Sequence, residues 1–104
     1  MRRAPGLIPA LLSFPPEAAR QDSWGRLLTL TSGGAELSTA TRLLKGEIVL
    51  LSFGLGGGEF EAVRARVEHA EDDADGRRLA ELKFLDEVQR RALARSLTDL
   101  LSRS

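Results

Sequence analysis

The chain contains no cysteine and no tyrosine, and only one histidine and one tryptophan among its 104 residues. Without cysteine there is no disulfide framework, no thiolate metal site and no cysteine nucleophile, a composition suited to a reducing cytoplasm. His69 stands alone, so a histidine-based metal cluster has no second imidazole. Charge of one sign is lacking too, because 15 basic residues balance 15 acidic ones. No global field therefore draws the chain to nucleic acid or to an anionic membrane. Long apolar runs are also missing. The patch from Leu7 to Phe14 follows a basic start, but Pro9 breaks it and "PPEAA" follows without a small-x-small cleavage site, so no signal peptide is expected. Nothing approaches the roughly 20 apolar residues of a membrane-spanning helix.

What is present is alternation. With 42% hydrophobic and 29% charged residues, the chain has the makings of one soluble domain around one modest core. Ala10 to Phe14 reads as a short strand ended by Pro15 and Pro16. Trp24 to Thr31 resumes an extended pattern, with Leu28 and Leu30 on one face and Leu27 and Thr29 on the other. Gly33 and Gly34 then read as a tight turn that exploits positive φ, followed by Ala35 and Leu37 on one face of a strand. "STATRLLKGE" is a loop with a turn at Lys45-Gly46. "EIVLLSF", Glu47 to Phe53, reads as a strand buried on both faces or at a sheet centre. "GLGGGE" reads as a flexible hairpin loop. Val63, Ala65 and Val67 alternate with Arg64, Arg66 and Glu68. An acidic turn, "AEDDADG", leads to a last strand with Arg78, Ala80, Leu82 and Phe84 on one face. Five or six strands at hairpin spacing indicate a small antiparallel barrel or sandwich.

The ending changes period. Asp86 with Gln89 three residues on approximates an N-terminal capping box, and residues 85–101 form a helical pattern. Val88, Ala92, Leu93, Leu97, Leu100 and Leu101 make a broad apolar stripe, more than one barrel mouth is expected to bury. Chemistry is sparse. "GLGGGE" fails as a dinucleotide fingerprint, because Glu59 replaces the third Gly and a strand follows instead of a helix. "EDDADG" offers Glu71, Asp73 and Asp75 at calcium-loop spacing, but Leu82 occupies the twelfth position where a glutamate is required. Ser32 has no assigned base and lies outside any G-x-S-x-G elbow. His69 reads as a surface residue. No catalytic residue and no metal ligand is assigned, so the protein is expected not to be an enzyme.

Between Trp24 and Leu101 the text "LLTLTSGGAELST", "KGEIVLLSF", "ARVEH" and "LAELKFLD" falls in an order that resembles a PilZ domain. The resemblance covers the first twenty-odd residues only loosely. It implies a six-stranded antiparallel β-barrel with a C-terminal α-helix, a single domain over 1–104 with residues 1–20 as a flexible N-terminal arm. It also implies a place in bacterial cyclic di-GMP signalling.

The family reads cyclic di-GMP with two arginines spaced RxxxR and a turn of the form [D/N]xSxxG. Here the turn matches at Thr29, Thr31 and Gly34, so a hydroxyl stands where the family has a carboxylate or amide. The first pattern begins at Arg2 and reaches Gly6, which carries no guanidinium, and Arg3 adjoins without replacing it. Losing two charge-assisted contacts at about 1.5–3 kcal/mol each weakens binding by roughly two to four decades. The expected protein is therefore a cytoplasmic adaptor of the motility or type IV pilus kind, with weak or no nucleotide binding and no cofactor. Its expected protein partner docks on the surface from Arg77 to Leu101, through Val88, Leu93, Leu97, Leu100 and Leu101. The alternative is a cyclic di-GMP receptor built from Arg2, Arg3, Thr29, Thr31, Ser32 and Gly34, with Arg20 and Arg26 in support.

Overall fold

The computed structural model describes residues 8–73 and 75–102. Six strands precede one described α-helix, and a short 3-10 helix (Pro16–Ala18) links the first two strands: β1 (Ile8–Ser13), β2 (Ser23–Leu30), β3 (Gly34–Thr39), β4 (Ile48–Leu55), β5 (Gly58–Asp72), β6 (Arg78–Phe84) and α1 (Glu87–Ser102). The strands close into an antiparallel barrel in the order β1-β2-β3-β6-β5-β4, with β1 pairing both β2 and β4. Closure leaves no sheet edge unpaired. The expectation of a flexible arm over 1–20 is corrected between Ile8 and Ser13. Ala10 and Leu12 there are fully buried, and inward alternation makes this segment a stave of the barrel.

The barrel has one interior, and period two decides what enters it. Val63, Ala65 and Val67 of β5 face Ala80, Leu82 and Phe84 of β6 inside, as the alternation predicts. β4 behaves differently from the expectation of two buried faces. Val49, Leu51, Phe53 and Leu55 point inward, while Ile48, Leu50 and Ser52 lie half-buried outside, because a closed barrel offers its strands a single apolar side.

Three bulges interrupt the alternation. Leu28 is an extra residue between the pairs Leu27–Leu37 and Thr29–Glu36. It shifts Thr29 to the outer face opposite Glu36 and returns Leu30 to the core, so Leu27 and Thr29 do not share a face. Glu61 and Ala62 together oppose Ser52, with Ala62 at φ 51°, and Glu68 is the extra residue between Val67 and His69.

The glycines also differ from expectation. Neither Gly33 nor Gly34 is left-handed; the described left-handed glycines are Gly46, Gly56, Gly57 and Gly76. Gly34 is needed for close approach instead, since a Cβ there would stand 2.1 Å from the Leu82 carbonyl oxygen of β6. "GLGGGE" is an ordered hairpin rather than a flexible loop. Its two-residue turn is Gly56-Gly57 at φ 60° and 84°, the doubly left-handed geometry that suits the strands' twist.

Helix α1 is capped by Asp86, whose Oδ1 accepts from the Gln89 backbone N–H at 2.9 Å. Gln89 does not return the bond as a full capping box would. Its side chain accepts from Arg64 N at 2.9 Å and donates to Ala62 O at 3.1 Å, which ties the helix to the β5 bulge. Leu93 is fully buried, and Leu97 and Leu100 pack against the core. Leu100 lies over Gly56, where a Cβ would meet its Cδ2 at 2.9 Å.

Candidate functional site

The turn between β2 and β3 is built around the hydroxyl of Thr31. Its Oγ1 accepts from Gly33 N and Gly34 N, both at 3.2 Å, while Thr31 N donates to Gly34 O at 2.9 Å. Gly33 O accepts from Phe84 N at 2.9 Å, so the turn is fastened to β6 as well as to itself. A threonine two and three residues before the paired glycines thus does what an Asx or ST turn does, with its methyl group restricting χ1. The two hydroxyls of "TLTSGG" differ in their work. Thr31 shapes the turn, whereas Thr29 donates to Glu36 Oε1 at 3.0 Å and accepts from Glu36 N at 3.3 Å. At 8% exposure, Thr29 is committed to its cross-strand neighbour.

Beside this turn, on the outer face of the barrel, lies a hollow of about 460 Å³. Thr29, Thr31, Gly33, Gly34 and Ala35 form its rim, and Glu36, Glu68, Glu81, Leu82 and Lys83 its walls. Glu36 and Glu81 stand directly opposite each other on β3 and β6, with His69 opposite Glu81 on the far side. Arg66 sits in register with Lys83 and bonds Glu68 at 2.6 Å. That hydrogen bond, with the charges of Arg66, Lys83 and Lys45, holds the Glu68 carboxyl below its ordinary range against the opposing effect of burial. It also raises the Arg66 guanidinium. Three carboxylates and one base, Lys83, thus line the hollow, while Arg66 and Lys45 act on Glu68 from outside the lining.

The sequence-derived site residues are only partly brought together. Thr29, Thr31 and Gly34 share the hollow. Ser32 lines a separate hollow of about 450 Å³ with Leu85, Glu87, Arg90, Arg91 and Ala94 of the helix side. Arg2, Arg3 and Gly6 lie outside the described residues. Arg20 is engaged elsewhere: it pairs with Glu47, donates to Arg42 O at 2.5 Å and covers the Phe14 ring at 4.4 Å from its centroid. Arg26 lies on the outer face opposite Pro9 and Ser38, away from the hollow. Sequence reasoning passed over Lys83, which is in register with Gly34, and also Arg90 and Arg91 beside Ser32, where Arg91 is bonded to Glu87 at 2.7 Å. Helical spacing put the two arginines on α1, but only the packing of α1 beside Ser32 reveals the proximity.

Of the helix residues singled out as a docking stripe, Leu93 is fully buried and belongs to the core. Leu97 and Leu100 are half-buried against the barrel, and the side chain of Leu101 lies outside what is described. Val88, at 74% exposure, is free in solvent. Among the described residues no group of three His, Asp or Glu side chains is arranged to hold a metal, and no helix is long and apolar enough to cross a membrane.

No family model and no curated protein matches the chain. Solved structures do. The fold is that of a PilZ domain, as the resemblance implied: a closed six-stranded barrel with a C-terminal helix. The PilZ domain of CeSA from a cellulose synthesizing bacterium superposes with a TM-score of 0.66 at 23% identity, over 98% of this chain and 99% of that one. YcgR from Escherichia coli, crystallised in complex with c-di-GMP, superposes with a TM-score of 0.74 at 18% identity, again over 98% of this chain. The chain spans 44% of the YcgR chain it matches.

Proposed function

We propose that this chain is a binding module of the cyclic di-GMP pathway that does no catalysis, has lost effective nucleotide binding and works by protein contact. The observation that carries the reading is the chemistry of the hollow beside the turn. Thr29 spends its hydroxyl on Glu36, and the hollow is lined by three carboxylates and one base, Lys83, with Arg66 outside the lining and bonded to Glu68. A cyclic dinucleotide brings two phosphodiester charges, which this wall repels. An ordered turn beside an acidic wall supports the adaptor reading over the receptor reading.

The contact surface in this reading is the outer side of α1 and the strand before it, from Arg77 to Leu101. Val88 is its exposed apolar point, and Arg90, Arg91 and Arg95 give it a basic flank. The role is of the motility or type IV pilus kind, in a cytoplasmic setting to which a cysteine-free chain is suited.

Thermal unfolding with 1 mM cyclic di-GMP tests the loss of binding. A receptor with a Kd of about 1 µM would gain about 4 kcal/mol, a rise of roughly 15 °C or more in a domain of this size. The expected rise is at most about 3 °C. A second reading, a receptor that uses Arg2, Arg3, Thr29, Thr31, Ser32 and Gly34, is favoured by the hollow's position at the mouth of the turn. Binding that disappears in the double variant Arg2→Ala, Thr31→Ala would support it.

A further inference from the structure

The outer face of β2, β1 and β4 carries a second feature, remote from both the turn and α1. Trp24, Leu11 and Ser52 lie in register across the three strands. With Pro9, Glu59 and Glu61 they line a hollow of about 530 Å³. Trp24, the chain's one tryptophan, is 66% exposed. Period two puts it on the outer face of β2 with Arg26, while Leu27 and Leu30 point inward and are fully buried. An indole held in water on a strand face, next to a proline and a half-buried leucine, has the composition of an interface centre.

The charges around it are one-sided. Glu59 and Glu61 are exposed, and neither has an ion-pair partner among the described residues. Glu59 stands opposite Gly54 of β4, where a Cβ would meet its Oε1 at an ordinary contact distance of 3.5 Å. Among the described residues no base lines the hollow, and Arg26, opposite Pro9, is outside its lining. The floor is firmly held. Ser52 Oγ accepts from Ala62 N at 3.0 Å, Gln89 holds Ala62 O, and Phe53 stacks on Phe60 with centroids 5.6 Å apart. Little ordering is left for a ligand to supply.

We propose that this groove holds a segment of a partner protein in which an arginine or lysine stands between apolar residues. The cation lies on the indole face and is bonded by Glu59 and Glu61, while the flanking apolar groups cover Leu11 and Pro9. A neutral apolar segment would desolvate both carboxylates without pairing them. A second copy of the chain, docked face to face about a two-fold axis, would bring Glu59 and Glu61 against their own equivalents. The inference goes beyond the helix surface named above and does not depend on nucleotide binding.

Because Trp24 is the one tryptophan, its fluorescence reports directly on the groove. The probe is the acetylated, amidated pentapeptide Leu-Arg-Pro-Arg-Leu, titrated into the intact chain beside its counterpart with both arginines replaced by glutamine. We expect a saturable spectral change with the arginine peptide alone. The double variant Glu59→Gln, Glu61→Gln weakens that binding about tenfold or more, and added salt weakens it further. Calorimetry with Trp24→Ala, a surface substitution that spares the core, shows no binding. Equal binding of both peptides, no saturation with either, or an unchanged affinity in the glutamine variant would each overturn the proposal. So would a Trp24 signal that follows protein concentration in step with dimer formation in sedimentation.

Discussion

Thr29 and Gly34 show how much of the site rests on single atoms. A Cβ at Gly34 would collide with the Leu82 carbonyl, which belongs to rigid β6 backbone. Gly34→Ala therefore destabilises by about 2–4 kcal/mol in denaturant unfolding, whereas Gly33→Ala stays within about 0.5 kcal/mol. The nearest atom to a Cβ at Gly33 is Thr31 Oγ1 at 3.9 Å. Thr31→Ala removes the acceptor of two turn N–H groups and costs about 1–2 kcal/mol, while Thr31→Ser retains most of that. Thr29→Asp, which places there the carboxylate that the PilZ resemblance calls for, sets a second negative charge against Glu36 in place of the bond at 3.0 Å. It lowers stability at pH 7, and Glu36→Gln in the same chain relieves the loss; a double-mutant cycle in urea measures the coupling.

At the level of elements, the strands whose neighbours are simple were the legible ones. Val63, Ala65 and Val67 announce β5 because one face meets the core and the other meets water. The bulges at Leu28, Ala62 and Glu68 leave no such mark, since barrel curvature sets them rather than any local side chain. Gly34 was legible as a turn residue but for the wrong reason: its constraint comes from Leu82, 48 positions along the chain, and no local propensity can announce a non-local contact. The acidity of the hollow was equally hidden, because Glu36, Glu68 and Glu81 meet only after β3, β5 and β6 are side by side. Two predictions belong to this scale. Leu93→Ala costs about 3 kcal/mol, whereas Val88→Ser is close to neutral, as thermal melts will show. Glu68, held below its ordinary range by Arg66, adds stability above the unfolded carboxylate range and loses it as pH falls through its lower folded value. The melting-temperature gap between the wild type and Glu68→Gln is then present at pH 7, closes below about pH 4 and shrinks in high salt.

As a whole molecule, the barrel is a neutral scaffold whose faces differ in chemistry. Its 15 bases and 15 acids cancel, so each face acts by local charge rather than by net field. One face carries the shaped turn beside three carboxylates, another the basic flank of α1, and a third the exposed Trp24 in one hollow with Glu59 and Glu61, which have no ion-pair partner among the described residues. The helix is an integral part of this scaffold, since Gln89, Leu93 and Leu100 each bind it to β4 or β5 or to the core. The central proposal is that the β2–β3 turn, ordered as it is, does not bind cyclic di-GMP effectively. An isothermal calorimetric titration of the intact chain with cyclic di-GMP, carried into the low-millimolar range, tests it most directly. The account predicts no saturable heat below about 1 mM, and a one-site isotherm with a Kd of about 1 µM would contradict it.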